Sequence, residues 1–117
     1  MPNITVERSA HLDDVDWEEF ARALHPVIVE VAAAKPEACK TRVLRGEDET
    51  VGDESEGHAI VHVTLALLAG RTDETKARLT EAVVALLAKH VGPRDGLTLH
   101  LSAEVRDLDA SYTKTVL

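Results

Sequence analysis

Aromatic residues are almost missing from this 117-residue chain: it has one Trp, one Phe and one Tyr. Its core must therefore be aliphatic, and it lacks the base-stacking platform of single-strand nucleic-acid binders. Basic residues are outnumbered, 13 against 21 acids, for a net charge of −8. Nucleic acid and anionic membranes reward Lys and Arg, so neither is expected as a partner. Cys39 is the only cysteine, which excludes a disulfide within one chain and a thiolate metal cage. A reduced, cytoplasmic setting is expected. No apolar run approaches the ~18 residues of a membrane span, and the opening Met-Pro-Asn-Ile-Thr-Val-Glu has neither the basic start nor the apolar stretch of a signal peptide. A small anionic substrate is not excluded, and the scarcity of cations makes each Arg position more informative.

What is present is a well-patterned aliphatic sequence, 44% hydrophobic, of a length that fits a single domain over residues 1–117. Ile4 and Val6 alternate with Thr5 and Glu7, the pattern of a strand. Asp13, Asp14 and Asp16 then supply acids for a helix start. Trp17, Phe20, Leu24, Val27 or Ile28, and Val31 follow at helical spacing. Pro26 falls inside that stripe and is expected to kink the helix or break it near His25; Lys35-Pro36 ends it. Residues 41–45 read as a short strand. The acid-rich stretch 46–57 reads as a loop or hairpin tip. Residues 58–68 are rich in β-branched residues and apolar at nearly every other position, which reads as a second strong strand. Thr72 is an N-cap candidate, with Asp73 and Glu74 in the first turn. Gly92-Pro93 closes a second helix, and residues 97–105 alternate again. The tail from Asp107 shows no period.

The element order repeats as two βαβ units, about 2–45 and 58–105. Each unit pairs its strands in parallel through a right-handed crossover. The expected fold is α+β: a four-stranded sheet with two helices on one face. The other face stays uncovered, and aliphatic residues there predict an oligomer.

Pro2 is the residue with the most distinctive chemistry. Removal of Met1 exposes it as a secondary amine, whereas Pro26, Pro36 and Pro93 are internal amides with no basic nitrogen. The α-amino reference lies at roughly 7.7–8.0, and a proline amine lies higher. An apolar pocket and nearby Arg charges both disfavour the cation and bring the amine toward neutrality, where proton transfer is most effective. A retained Met1 turns the same nitrogen into an amide and abolishes the base. The plain alternative is a chain that merely starts Met-Pro.

The stretch from His62 to Lys76, a strand followed by Gly70-Arg71-Thr72-Asp73-Glu74 and an aliphatic helix, resembles the corresponding segment of 4-oxalocrotonate tautomerases. Over about residues 2–105 the chain is most similar to the 5-carboxymethyl-2-hydroxymuconate isomerase branch. The resemblance rests on Pro2 with Val6-Glu7, Pro26 in the first helix, Arg42-Val43, and the run from Val61 to Arg71. It implies a fused β-α-β-β-α-β chain assembled as a homotrimer, acting on a small carboxylate substrate without metal or organic cofactor. It also implies roles: Pro2 as catalytic base, Arg71 as a grip on a substrate carboxylate, and Arg42 as a second carboxylate-binding or charge-stabilising group presented across a subunit interface. Both arginine roles suit a planar, permanently charged fork, and Arg71 stands beside a helix N-terminus that favours anions. Lys40 departs from the branch, which often carries Arg there; it keeps the charge and loses the fork. The implied reaction is tautomerisation of a 2-hydroxy-dienoate such as 5-carboxymethyl-2-hydroxymuconate, in catabolism of hydroxylated phenylacetates.

Other readings stand beside these. The plain alternative for Arg71 is a pairing with Asp73 or Glu74, an exposed contact of little energetic weight. Arg42 and Lys40 can be ordinary exposed strand residues. His58 and His62 lie ~13 Å apart on a strand, too far to share a metal ion. His62 reads as a packed or interface residue, His100 as structural and Cys39 as inert. The acidic stretch 47–56 reads as a solvated tip. Two functional alternatives remain: a Pro2-dependent hydratase or decarboxylase on the same scaffold, and a non-catalytic oligomer.

Overall fold

The structure is a computed structural model that describes residues 2–117. Its elements run β1 (Asn3–Ser9), α1 (Trp17–Ala32), β2 (Lys40–Gly46), β3 (His58–Leu67), α2 (Asp73–Val91) and β4 (Thr98–Asp107), with short 3-10 turns at Ala10–Leu12 and Pro36–Ala38. The sheet order is β2-β1-β3-β4. β1 pairs in parallel with β2, and β3 with β4, each pair joined by its helix. The two units meet through the antiparallel pairing of β1 with β3, Ile4 opposite Leu65 and Val6 opposite Val63. This is the expected α+β arrangement.

One set of alternating strand residues makes the core. Ile4, Val6, Val61, Val63 and Leu65 have no exposed surface, and neither do Phe20, Leu24 and Ile28 of α1 or Leu79, Val83 and Leu87 of α2. The helical stripe resolves in favour of Ile28, with Val27 half-buried. Leu79 joins the core, while Ala77 is exposed. Trp17 and Phe20 pack edge to face, with ring centroids 5.9 Å apart, a favoured aromatic geometry.

The helix ends show how local chemistry sets the boundaries. Asp16 caps α1 by accepting from the Glu19 amide at 3.0 Å, and Thr72 caps α2 through the Thr75 amide at 3.1 Å. Each satisfies an amide with no partner inside its helix. Asp13 and Asp14 do not join the helix start; they lie before it and hold arginines. Asp13 takes the Arg45 fork through both oxygens, at 2.8 and 2.9 Å, and also bonds Arg8. Asp14 binds Arg94 at 2.8 Å. Nor does Pro26 break α1, which continues as one helix from Trp17 to Ala32. A proline removes only one donor, and this side chain faces solvent.

The uncovered sheet face is the main departure from expectation. It carries Lys40 and Arg42 from β2, Thr5 and Glu7 from β1, His58, His62 and Thr64 from β3, and His100, Ser102 and Glu104 from β4. Its apolar residues are few, chiefly Leu44, Ile60 and Ala66. The physical reason is the two-residue strand period: the aliphatic positions of every strand are used up on the helix side. The loop after β2 is likewise more than a solvated tip. Glu49 bonds the buried Ser9, whose hydroxyl accepts from the Ile60 amide at 2.6 Å, and Glu54 meets His58 at 2.9 Å.

Two predictions follow from this packing. Leu24→Ala should lower unfolding stability by about 2–5 kcal/mol, because it opens a void in a sealed core; urea denaturation measures it. The hydrogen bonds from Arg45 and Arg8 hold the Asp13 carboxyl far below its ordinary value of 3.8. A lowered folded pKa stabilises above the unfolded value and is lost as pH falls through the folded one. The stability gap between wild type and Asp13→Asn should therefore be full at neutral pH and shrink as pH drops below 3.8. Denaturation midpoints measured across that range check it.

Candidate functional site

Five chain segments converge at one end of the sheet because of the connectivity. In a parallel βαβ unit the helix runs back against its strands, so the start of β1, the start of β2 and the C-terminus of α1 share an end. β3 is antiparallel to β1, so its C-terminus and the N-terminus of α2 arrive there too. Residues from all these segments, or from the turns that join them, enclose a cavity of about 180 Å³ lined by Pro2, Ala33, Ala34, Lys35, Ala38, Leu68 and Arg71.

Pro2 is buried. Its carbonyl accepts from the Lys40 amide at 3.2 Å, continuing the β1–β2 ladder one step beyond β1. Small side chains on the α1–β2 connection leave the space in front of it open. Ala33 takes a left-handed conformation with φ of 55°, which turns the chain sharply at the end of α1.

Arg71 pairs with neither Asp73 nor Glu74. Its Nε and Nη2 donate to the Ala32 carbonyl at 3.1 and 2.9 Å, and its Nη1 donates to the Leu68 carbonyl at 3.0 Å. The last carbonyls of a helix have no partner of their own and carry partial negative charge, so the guanidinium closes the C-terminus of α1. One hydrogen on each Nη is left uncommitted by these bonds. Arg71 is thus anchored to backbone on both sides of the cavity and can still face it.

The other two cations named from the sequence are placed differently. Lys40 is joined to Pro2 through its backbone, while its ammonium donates to the Ala38 carbonyl at 3.1 Å. Arg42 stands opposite Thr5 on the open face of β2. It is exposed and does not line the Pro2 cavity. The histidines have partners on that same face: His58 meets His100 at 2.9 Å, and His62 meets Ser102 at 2.7 Å and Glu104 at 3.0 Å. Cys39 is buried, and that burial pushes its thiol up, away from the reactive thiolate. The C-terminal tail crosses back toward β1, where Asn3 and Tyr112 approach to 3.5 Å.

Lys35 lines the cavity and was not singled out by sequence reasoning, which used Lys35-Pro36 only as a helix stop. Its position at the helix end was legible; its proximity to Pro2 depends on how β2 pairs with β1. Chemically, the cavity offers a buried proline, two basic residues and otherwise aliphatic carbon. That arrangement suits a short anionic ligand.

Comparison with known proteins gives the family and the fold. A family model described as 5-carboxymethyl-2-hydroxymuconate isomerase matches residues 2–116. The chain is similar to a 5-carboxymethyl-2-hydroxymuconate isomerase from Deinococcus radiodurans R1, at 26% identity and a TM-score of 0.86, over 98% of this chain and 90% of that one. It shares its fold with a fused 4-OT wild type symmetric trimer at 21% identity and a TM-score of 0.80, over 97% of this chain and 90% of that one. A 5-carboxymethyl-2-hydroxymuconate delta-isomerase gives 17% identity and a TM-score of 0.73, over 99% and 88% respectively. No curated protein sequence matches the chain. The fold and the near-complete family match together place this chain in the 5-carboxymethyl-2-hydroxymuconate isomerase family, as an isomerase-type enzyme.

Proposed function

We propose that the enzyme tautomerises an unsaturated 2-hydroxy di- or tricarboxylate, such as 5-carboxymethyl-2-hydroxymuconate, with Pro2 as the base. The observation that carries this reading is that Pro2 and Arg71 line one small cavity in a chain of this family. Met1, whose removal frees the Pro2 nitrogen, lies outside the described residues.

In the proposed reaction the neutral Pro2 amine takes the proton of the 2-hydroxyl. The O–H electron pair becomes the ketone C=O bond, the conjugated double bonds shift, and a C–H bond forms at a distant carbon with a proton returned by the Pro2 ammonium. No atom is gained or lost, so no cofactor enters the balance. Arg71 holds the C1 carboxylate with its uncommitted Nη hydrogens and stabilises the dienolate as charge develops. The low polarity of the surrounding alanines and Leu68 strengthens that attraction.

Arg42 is proposed to act in a neighbouring copy's site. Its exposure on β2 and its absence from its own cavity's lining support that role, and a homotrimer would bring it to a neighbour's site, the fused 4-OT relative being a symmetric trimer. Lys40 is proposed to add positive potential near Pro2, with its ammonium shared with the Ala38 carbonyl. The single buried thiol fits a reduced cytoplasmic setting.

The test is ketonisation of a 2-hydroxymuconate-type dienol, followed by ultraviolet absorbance on protein whose intact mass shows Met1 removed. Pro2→Ala should lose about 10²–10⁴-fold in rate, the usual contribution of a positioned acid–base group. With Pro2 acting as base, kcat/KM should rise with pH through the amine's ionisation and then level. Met-free wild type that converts no dienol would end the catalytic reading and leave the non-catalytic one.

A further inference from the structure

We infer that Lys35 is a specificity-determining residue of the Pro2 cavity: it binds a second carboxylate and makes the site prefer dianionic over monoanionic unsaturated acids. The inference deepens the proposed function and rests on the same cavity being the ligand site.

Lys35 is held where a second anchor is needed. It follows the α1 terminus and precedes Pro36, and a residue before proline is confined to extended backbone; Lys35 has φ −92° and ψ 135°. Its carbonyl accepts from the Ala38 amide at 3.0 Å and from the Cys39 thiol at 3.6 Å. The backbone is therefore fixed at the cavity wall, while the side chain lies exposed on a flexible four-carbon stem.

Its ammonium is also uncommitted. Among the described residues it makes no ion pair or hydrogen bond, in a chain where acids outnumber bases 21 to 13. The other cations near Pro2 are engaged: Arg71 bonds Ala32 and Leu68, and Lys40 bonds Ala38. An unpaired lysine on the wall of a cavity lined elsewhere by Arg71 and small aliphatic side chains is a point charge available to an anion. The division of labour follows from this. Anchored Arg71 fixes one carboxylate in a defined orientation. Mobile Lys35 accepts a second one at variable distance. A volume of about 180 Å³ is well under the roughly 300–1,000 Å³ of pockets for drug-sized ligands, which suits a short chain with charge at both ends. The net charge of −8 works against any dianion at long range, so a local cation is what would reverse that preference.

The experiment compares muconate with sorbate, six-carbon dienoates that differ by one carboxylate and lack the enol. Calorimetry on full-length, Met-free protein gives both affinities, for wild type, Lys35→Met and Lys35→Arg. Wild type should prefer muconate. Lys35→Met should weaken muconate by about 3–5-fold and leave sorbate within about 1.5-fold, allowing for solvent screening of an exposed lysine. Lys35→Arg should restore the preference. Thermal melts check that the exposed substitution leaves the fold intact. Equal losses for both acids, no loss for either, or a wild type that binds neither acid or does not discriminate would overturn the inference. Dienol turnover by wild type is a separate readout, so inactive enzyme with an intact muconate preference would fault the catalytic reading and leave the Lys35 assignment standing.

Discussion

The site depends on one strand being inside the sheet. β1 starts at residue 3 and pairs on both sides, with β2 and with β3. A strand held on both sides is fixed along its length, and Pro2, just before it, is buried. The antiparallel β1–β3 contact also brings the β3–α2 turn to the same end. Arg71, in that turn, then ties to the last turn of α1 through the Ala32 carbonyl. Burial of Pro2 and the meeting of its cavity walls thus follow from strand order and one guanidinium.

Arg71 serves the fold, and in the proposed reaction it serves the chemistry as well. Its bonds to backbone carbonyls neutralise a helix C-terminus that would otherwise point partial negative charge at any incoming carboxylate. The same bonds orient the remaining Nη hydrogens. A lysine could supply the charge, but it could not bridge Ala32 and Leu68 with a rigid fork while keeping donors free.

Much of the fold was legible in the sequence because each element carries its own period and its own stop. Ile4 and Val6 alternate, the α1 stripe repeats at helical spacing, Thr72 caps and Gly92-Pro93 terminates. Pro2 and Arg71 were singled out through the residues around them, and the structure brings both to one cavity. What was not legible depends on pairing across the chain. Asp13 looked like a helix-start acid, yet the register of β2 brings Arg45 to it. Arg71 looked ready to meet a nearby carboxylate, yet the end of α1 offered it carbonyls. The open face was expected to be aliphatic, yet His58, His62 and His100 lie there because the aliphatic positions already face the helices. Lys35 carried no sequence signal beyond a helix stop, since only the start of β2 beside β1 brings it to Pro2.

The central claim is that Pro2 carries a free amine whose surroundings favour the neutral form. Proline-selective ¹⁵N labelling tests it directly, because the three internal prolines are amides that do not titrate. The account predicts one titrating proline nitrogen, with a midpoint lower in the folded protein than in the same protein unfolded in urea, as burial beside Arg71 and Lys35 requires. A folded midpoint equal to or above the unfolded one, or no titrating proline nitrogen at all, would contradict it.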